Sequence, residues 1–177
     1  MCIRDRVMES IVNLLEKDTG LKAINKPGGQ HVLNDEYFKR IEAINYTLEH
    51  DDGEGQKNLE LADVIIVGVS RTSKTPTCIY LANKGIKAAN YPLVPDIGVS
   101  KELDEVKGPT VVALITSAQT LVEIRRKRSL ELGLKDKETD YINVHKVEEE
   151  IIAAKRIFAN KGWPVIDITR RLSLIHI

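Results

Sequence analysis

Hydrophobic positions change their rhythm partway along the chain. In "VMESIVNLLEK", residues 7–17, Ile11, Leu14 and Leu15 recur at helical spacing, and Asp18, Thr19 and Gly20 then close the helix. "INKPGGQHVLND", 24–35, has no period and reads as a loop around Pro27, Gly28 and Gly29. "DEYFKRIEAINYTLEH", 35–50, puts Phe38, Ile41, Ile44 and Leu48 on one stripe, which predicts an amphipathic helix. "DDGEGQKN", 51–58, is polar and glycine-containing, the expected domain boundary. Beyond it the apolar runs become short and nearly continuous. "ADVIIVGV" reads as a strand buried on both faces. "TPTCIYLANKG", 75–85, is a helix ended by Gly85, and "IKAANYPLV", 86–94, a second strand. "PTVVALIT", 109–116, is a third strand. "SAQTLVEIRRKRSLELG", 117–133, is a helix with Ser117 as N-cap and Gly133 at its end. "VHKVEEEIIAAKRIFANKG", 144–162, is a further helix and "WPVIDIT", 163–169, a fourth strand. Strands alternating with helices imply an α/β domain with a mostly parallel sheet, preceded by a partial helical N-terminal segment.

Composition narrows the function classes. The chain has 177 residues, 42% hydrophobic and 29% charged, enough for one ordinary domain with a sizeable core. Its 26 basic residues balance 26 acidic ones, so nothing drives it globally towards nucleic acid or an anionic membrane, and any anion site must be local. Two cysteines, Cys2 and Cys78, make neither a metal pattern nor a disulfide framework, which suits a reducing compartment. No apolar run approaches membrane-spanning length and the start lacks the apolar core of a signal peptide, so the expected location is the cytoplasm. The ends, "MCIRDR" and "SLIHI", fit neither neighbouring pattern. Residues 1–6 and 172–177 are expected to be non-native, with natural frayed termini as the alternative. Residues 7–58 then form the remnant of an N-terminal domain and its linker, and 59–171 a truncated α/β domain.

The candidate chemistry lies in "GVSRTSKTPT", 68–77, directly after the first strand. In an open parallel sheet, ligands sit beyond the carboxyl ends of the strands. Gly68 lets the chain turn, and the N-terminus of the following helix attracts phosphate. The standard phosphate loop is Gly, four residues, Gly-Lys-Ser/Thr; here it is Gly68, four residues, then Ser73-Lys74-Thr75. Ser73 replaces the second glycine, which is acceptable if its backbone stays in an ordinary region. Lys74 and Arg71 offer cations, and the Thr75 hydroxyl offers a ligand to Mg²⁺. The alternative is a plain strand–loop–helix turn with a solvated Lys74.

"ADVIIVGVSRTSKTPTCIYLANKGIKAANYPLVP" resembles the signature of the pyruvate, phosphate dikinase regulatory proteins, which are related to the phosphoenolpyruvate synthetase regulatory proteins. "GGQHVLNDEYFKRIEAINYTLEHDDG", "LVEIRRKRSLELG" and "GWPVIDITRR" extend the resemblance, in family order, over about residues 8–171. The family's usual chain is longer at both ends. The resemblance implies a bifunctional serine/threonine kinase and phosphorylase. It implies ADP-dependent phosphorylation of a threonine on the dikinase near its catalytic histidine, and removal of that phosphate by inorganic phosphate with release of pyrophosphate. It maps the nucleotide loop onto Gly68, Val69, Ser70, Arg71, Thr72, Ser73, Lys74 and Thr75, with ADP as donor and Mg²⁺ on Thr75. The "SRTSKTP" form resembles the dikinase branch; the synthetase branch tends to have cysteine and glycine at 72 and 73.

Lys74 and Arg71 are the expected charge-neutralising catalytic residues. A base for the acceptor hydroxyl is sought in "HDDG": His50, Asp51 or Asp52, with Asp52 the choice, against the alternative of a helix-ending polar turn. "RRKR", 125–128, reads as a solvated helix face rather than a dock for an acidic partner. His31 is open between contact with the partner or phosphate and no role, and Thr169, Arg170 and Arg171 between a phosphate role and a structural ion pair; His145 is expected at the surface, and Trp163 in the core rather than stacked on a ligand. The expected partners are the dikinase and inorganic phosphate, without nucleic acid or membrane, and with a homodimer as candidate assembly. The competing readings are a synthetase regulator, a small-molecule phosphate-loop kinase, and a nucleotide-gated binding module without catalysis.

Overall fold

The computed structural model describes residues 3–23, 34–51, 58–94, 97–131 and 140–169. Two compact units divide at Asn34 and Asp35. The first contains α1 (Ile3–Thr19), closed by Gly20 in a left-handed conformation at φ 70°. Glycine suits that position because a left-handed residue without a Cβ carries no steric cost.

The second unit is the α/β body. Helix α2 (Asp35–Glu49) precedes β1 (Val64–Gly68), α3 (Lys74–Ala82), β2 (Ala88–Pro92), α4 (Lys101–Glu105), β3 (Thr110–Ile115), α5 (Ala118–Glu131), α6 (Val144–Lys161) and β4 (Val165–Asp167). The sheet has four strands in the order β2-β1-β3-β4, and every pairing is parallel. Ile65, Ile66, Val67 and Gly68 of β1 are all buried, because this central strand is covered on both faces. One face carries Ile65, Val67 and Ala113 against Leu121 and Val122 of α5 and Val147, Ile151 and Phe158 of α6. The other carries Ile66 and Leu114 against Cys78 of α3. Trp163 packs on the larger cluster, its ring 6.3 Å from that of Phe158.

Helix α2 belongs to this body, on the sheet's side of the boundary expected at 51–58; residues 52–57 of that stretch lie outside the described residues. Its role follows from the strand order. β2 is an edge strand, whose outward N–H and C=O groups would otherwise stand open. The Thr47 hydroxyl donates to Ala88 O at 2.8 Å and accepts from Ala88 N at 3.2 Å, and Asn90 N donates to His50 O at 2.9 Å. The end of α2 is thereby fastened along β2, which fixes where residue 51 lies. The short α4 has no counterpart among the expected elements. Its N-cap Ser100 accepts from Leu103 N, and Leu103 is the one side chain it buries.

Candidate functional site

The chain leaves β1 for β2 on one side and later returns to β3 on the other. The strand direction of travel therefore reverses at β1, and the crevice beyond the carboxyl ends of β1 and β3 is the natural ligand position of such a sheet. Residues 69–73 and the Thr116–Ser117 turn both border it.

Gly68 is required by proximity. A Cβ there would lie 2.7 Å from Thr72 Oγ1 and 2.8 Å from Leu114 O. Thr72 is fully buried and its hydroxyl donates to Val69 O at 2.9 Å. Lys74 is 5% exposed, and its ammonium also donates to Val69 O, at 3.0 Å. It is thus no solvated helix residue: it folds back beneath the loop. Ser70 and Arg71 are exposed. Ser73 does not keep the ordinary backbone expected of it. It sits at φ 55°, ψ 28°, left-handed, as N-cap of α3, and its side chain makes no capping hydrogen bond. Arg71 is left-handed as well, at φ 72°. Left-handed backbone costs a residue with a Cβ about 1–2 kcal/mol. Two such residues within three positions mark a loop held in shape by its surroundings.

Helix α5 supplies the main restraint. In "RRKR", Arg126, Lys127 and Arg128 are exposed as expected, but Arg125 is 2% exposed. Its guanidinium donates to both carboxylate oxygens of Glu150 on α6, at 2.8 and 3.0 Å, to Tyr141 O at 3.2 Å and to Ser70 O at 3.3 Å. It also lies 4.4 Å from the centre of the Tyr141 ring, whose hydroxyl is 3.3 Å from Ser70 Oγ. A planar fork with five donors suits this convergence, which an ammonium could not reproduce. The sequence does carry the signal. Ala118, Leu121, Val122 and Arg125 are the buried residues of α5, at i, i+3, i+4 and i+7, so the arginine stands on the apolar stripe.

At the start of α3 the Thr75 hydroxyl donates to Asp51 Oδ1 at 3.0 Å. Asn90 of β2 donates to the same carboxylate oxygen at 2.6 Å and to Thr75 Oγ1 at 3.0 Å. Burial pushes the neighbouring Cys78 thiol up from 9.0 to about 12; the Asp51 carboxylate adds to the rise and the Lys74 ammonium opposes it. Both charges therefore act on one spot beneath the loop.

Of the base candidates, His50 is 6% exposed, stacked on Tyr46 at 3.9 Å, with Nδ1 2.8 Å from Tyr46 O. Asp51 is in the network just described, and Asp52 lies outside the described residues, as do His31, Arg170 and Arg171. Thr169 joins the ends of β3 and β4: its hydroxyl accepts from Ser117 N at 2.9 Å, and its own N–H donates to Asp167 Oδ1 at 2.8 Å. Ser117 caps α5 as expected, accepting from Thr120 N at 3.2 Å. These residues, with Thr116 and Lys155, line an open cavity of about 510 Å³. A larger hollow of about 1090 Å³, elsewhere on the body, is bordered by Glu60, Glu102, Asp104, Glu105 and Lys107, a mainly acidic lining that disfavours phosphate. His145 is at the surface. Among the described residues no cluster of three or more His, Cys, Asp or Glu side chains could hold a metal unaided, and no helix is long and apolar enough to cross a membrane.

Comparison with known proteins follows the same lines. The chain is 50% identical over 164 residues to a protein of Caulobacter vibrioides provisionally named pyruvate, phosphate dikinase regulatory protein, covering 93% of this chain and 52% of that one. Similarly named proteins of Sphingopyxis alaskensis and Erythrobacter litoralis are 49% and 48% identical over 93% of this chain, which covers 60% and 59% of their lengths. The chain thus spans somewhat more than half the length of these curated relatives. The kinase/pyrophosphorylase family profile matches residues 3–172, and the chain belongs to that family.

Proposed function

We propose that this chain carries the nucleotide-handling part of a regulator of pyruvate, phosphate dikinase, one that phosphorylates a dikinase threonine from ADP and removes that phosphate with inorganic phosphate. The observation that carries this reading is the loop of residues 68–75, held in a fixed shape at the switch point of a parallel sheet, with Lys74 drawn beneath it. The names of the relatives support the choice of target.

In the kinase direction the threonine oxygen attacks the β-phosphorus of ADP. The bond from that phosphorus to the oxygen bridging to the α-phosphate breaks, AMP leaves, and the hydroxyl proton passes to a base. In the other direction an oxygen of inorganic phosphate attacks the phosphothreonine phosphorus, and pyrophosphate and threonine separate. Both reactions need positioning and charge neutralisation more than covalent help. Lys74, whose ammonium donates to the Val69 carbonyl beneath the loop, would offer a phosphate oxygen a charge-assisted bond. Arg71, exposed on the loop, supplies a second cation, and the loop N–H groups and the N-terminus of α3 supply donors. Asp52 remains the proposed base. Mg²⁺ bound with the nucleotide would neutralise phosphate charge, and Thr75 offers it a hydroxyl. The reactions take place in the cytoplasm.

The test is transfer of label from ADP carrying ³²P in its β-phosphate to the dikinase, with the labelled residue located by mass spectrometry and AMP measured. Labelled threonine and equimolar AMP are expected, together with pyrophosphate release when phosphorylated dikinase meets inorganic phosphate alone. Transfer from purified ATP and none from ADP would replace this reading with an ordinary ATP-dependent kinase. Binding without transfer would leave a nucleotide-gated module, and transfer to a metabolite instead of the dikinase a small-molecule kinase.

A further inference from the structure

We infer that Asp51 is the carboxylate of the metal site that serves the bound nucleotide, acting together with the Thr75 hydroxyl. The inference deepens the nucleotide reading and rests on it.

The argument is one of hydrogen-bond capacity. A threonine hydroxyl has one proton and two lone pairs. The Thr75 proton goes to Asp51 Oδ1 at 3.0 Å, and one lone pair accepts from Asn90 Nδ2 at 3.0 Å. This leaves one lone pair, on an oxygen of a half-buried residue in the first turn of α3, directly after Lys74. A hydroxyl whose proton is held by a carboxylate is polarised towards a cation. Asp51 places its negative charge within hydrogen-bond reach of the same oxygen, suited to hold a metal-bound water. Mg²⁺ is commonly held in this manner, by one or two carboxylates plus substrate phosphates and waters.

The position is built rather than incidental. Asp51 directly follows the end of α2, which is fastened to β2 through Thr47 and the His50 carbonyl, and Asn90, from that strand, grips both partners. The carboxylate therefore comes from a segment preceding the loop in sequence, which spacing rules for phosphate loops do not search. A negative charge there, without a cation, would only weaken binding of a diphosphate.

The experiment is calorimetric titration of the chain with ADP, once with excess Mg²⁺ and once with EDTA. Manganese EPR of the Mn²⁺–ADP complex serves as an independent reading of the metal. Wild type should bind ADP more tightly with metal. Asp51→Asn, which keeps the shape and can still accept from Thr75, should lose that increment by about 10–100-fold, the usual effect of removing a group that supports a metal. Its affinity in EDTA should be unchanged or tighter. Thr75→Val should behave likewise and Thr75→Ser should restore the increment. Equal losses of Asp51→Asn with and without metal would mean a structural role, and an intact increment would mean no role; either overturns the inference. Metal-independent ADP binding by the wild type overturns it alone, whereas no ADP binding under either condition sinks the nucleotide reading itself.

Discussion

Removing Arg125 should cost more than any other single charge change in the body. Its side chain is 2% exposed, and four N–H donations leave it: two to Glu150, one to Tyr141 O and one to Ser70 O. Breaking a buried ion pair by deleting one partner costs about 3–5 kcal/mol, chiefly because the other charge is stranded. Glu150 keeps a quarter of its side chain in water, and Ser70 is exposed, so these partners partly rehydrate. Arg125→Ala should therefore destabilise by about 3 kcal/mol, at the low end of that range, lowering the melting temperature by about 6–12 °C. The assay is urea unfolding followed by fluorescence of Trp163, the chain's single tryptophan, which lies against Phe158 of α6. The double variant Arg125→Met, Glu150→Leu should recover much of the loss, since it strands no charge. Arg125→Lys should fold yet bind ADP more weakly than wild type, because an ammonium cannot hold Glu150 and Ser70 O together. A loss below about 1 kcal/mol for Arg125→Ala, the level of a surface pair, would refute the idea that this side chain locks the loop.

Ser73→Gly should raise stability by about 1 kcal/mol in the same assay, by relieving left-handed strain at φ 55°; a loss of stability would mean the serine hydroxyl matters more than its backbone. Gly68→Ala should destabilise by about 2 kcal/mol or more, since its Cβ would meet Leu114 O at 2.8 Å, a backbone atom that cannot swing aside; a neutral result would show that β1 and β3 can part. The Cys78 thiol, raised from 9.0 to about 12, stays protonated in the folded chain while the unfolded chain ionises. Stability should therefore be fully present below pH 9 and fall as the pH rises towards 12, by up to about 1.4 kcal/mol per unit. Cys78→Ala should flatten that decline, and an unchanged slope would assign it wholly to other groups such as Tyr46, also raised to about 12.

The elements were legible where one physical requirement dominated. The run "VIIV" that follows Asp63 is apolar at every position, which suits a strand covered on both faces. Helices α2, α5 and α6 were legible as helices, but the stripe expected of α2 is not its packed face: Phe38, Ile41 and Leu48 are exposed, and Ala43, Tyr46 and Thr47 are buried instead, because the helix turns its polar Thr47 to the edge of β2. The five residues of α4 are too few to show a period. Less legible were features set by partners distant in sequence. Nothing in "NYTLEH" says that Thr47 and the His50 carbonyl will close the edge of a strand some 40 residues on. The left-handed Ser73 could not be read from a residue that ordinarily avoids that region. Arg125 was hidden by its neighbours: three solvated cations beside it made the run look uniform, although its spacing from Leu121 and Val122 placed it inward.

Strain and burial in the loop have one explanation. Left alone, Arg71 and Ser73 would relax out of the left-handed region, at a gain of about 1–2 kcal/mol each. They are kept there because Thr72 and Lys74 both bond Val69 O from below while Arg125 grips Ser70 O from the side. The energy that holds this shape comes from the core and from the α5–α6 ion pair, so it is spent during folding. A ligand meeting a loop already ordered has less conformational entropy to remove, and more of its contact energy appears as affinity. That division of labour explains why Glu150, bonded to the arginine that grips Ser70 O, should influence binding there. Glu150→Gln removes the negative charge and one of the two acceptor oxygens that orient Arg125, and should weaken ADP binding without altering any group that touches phosphate. Equal ADP affinity in wild type and a folded Glu150→Gln variant would show that the loop keeps its shape without the α5–α6 pair.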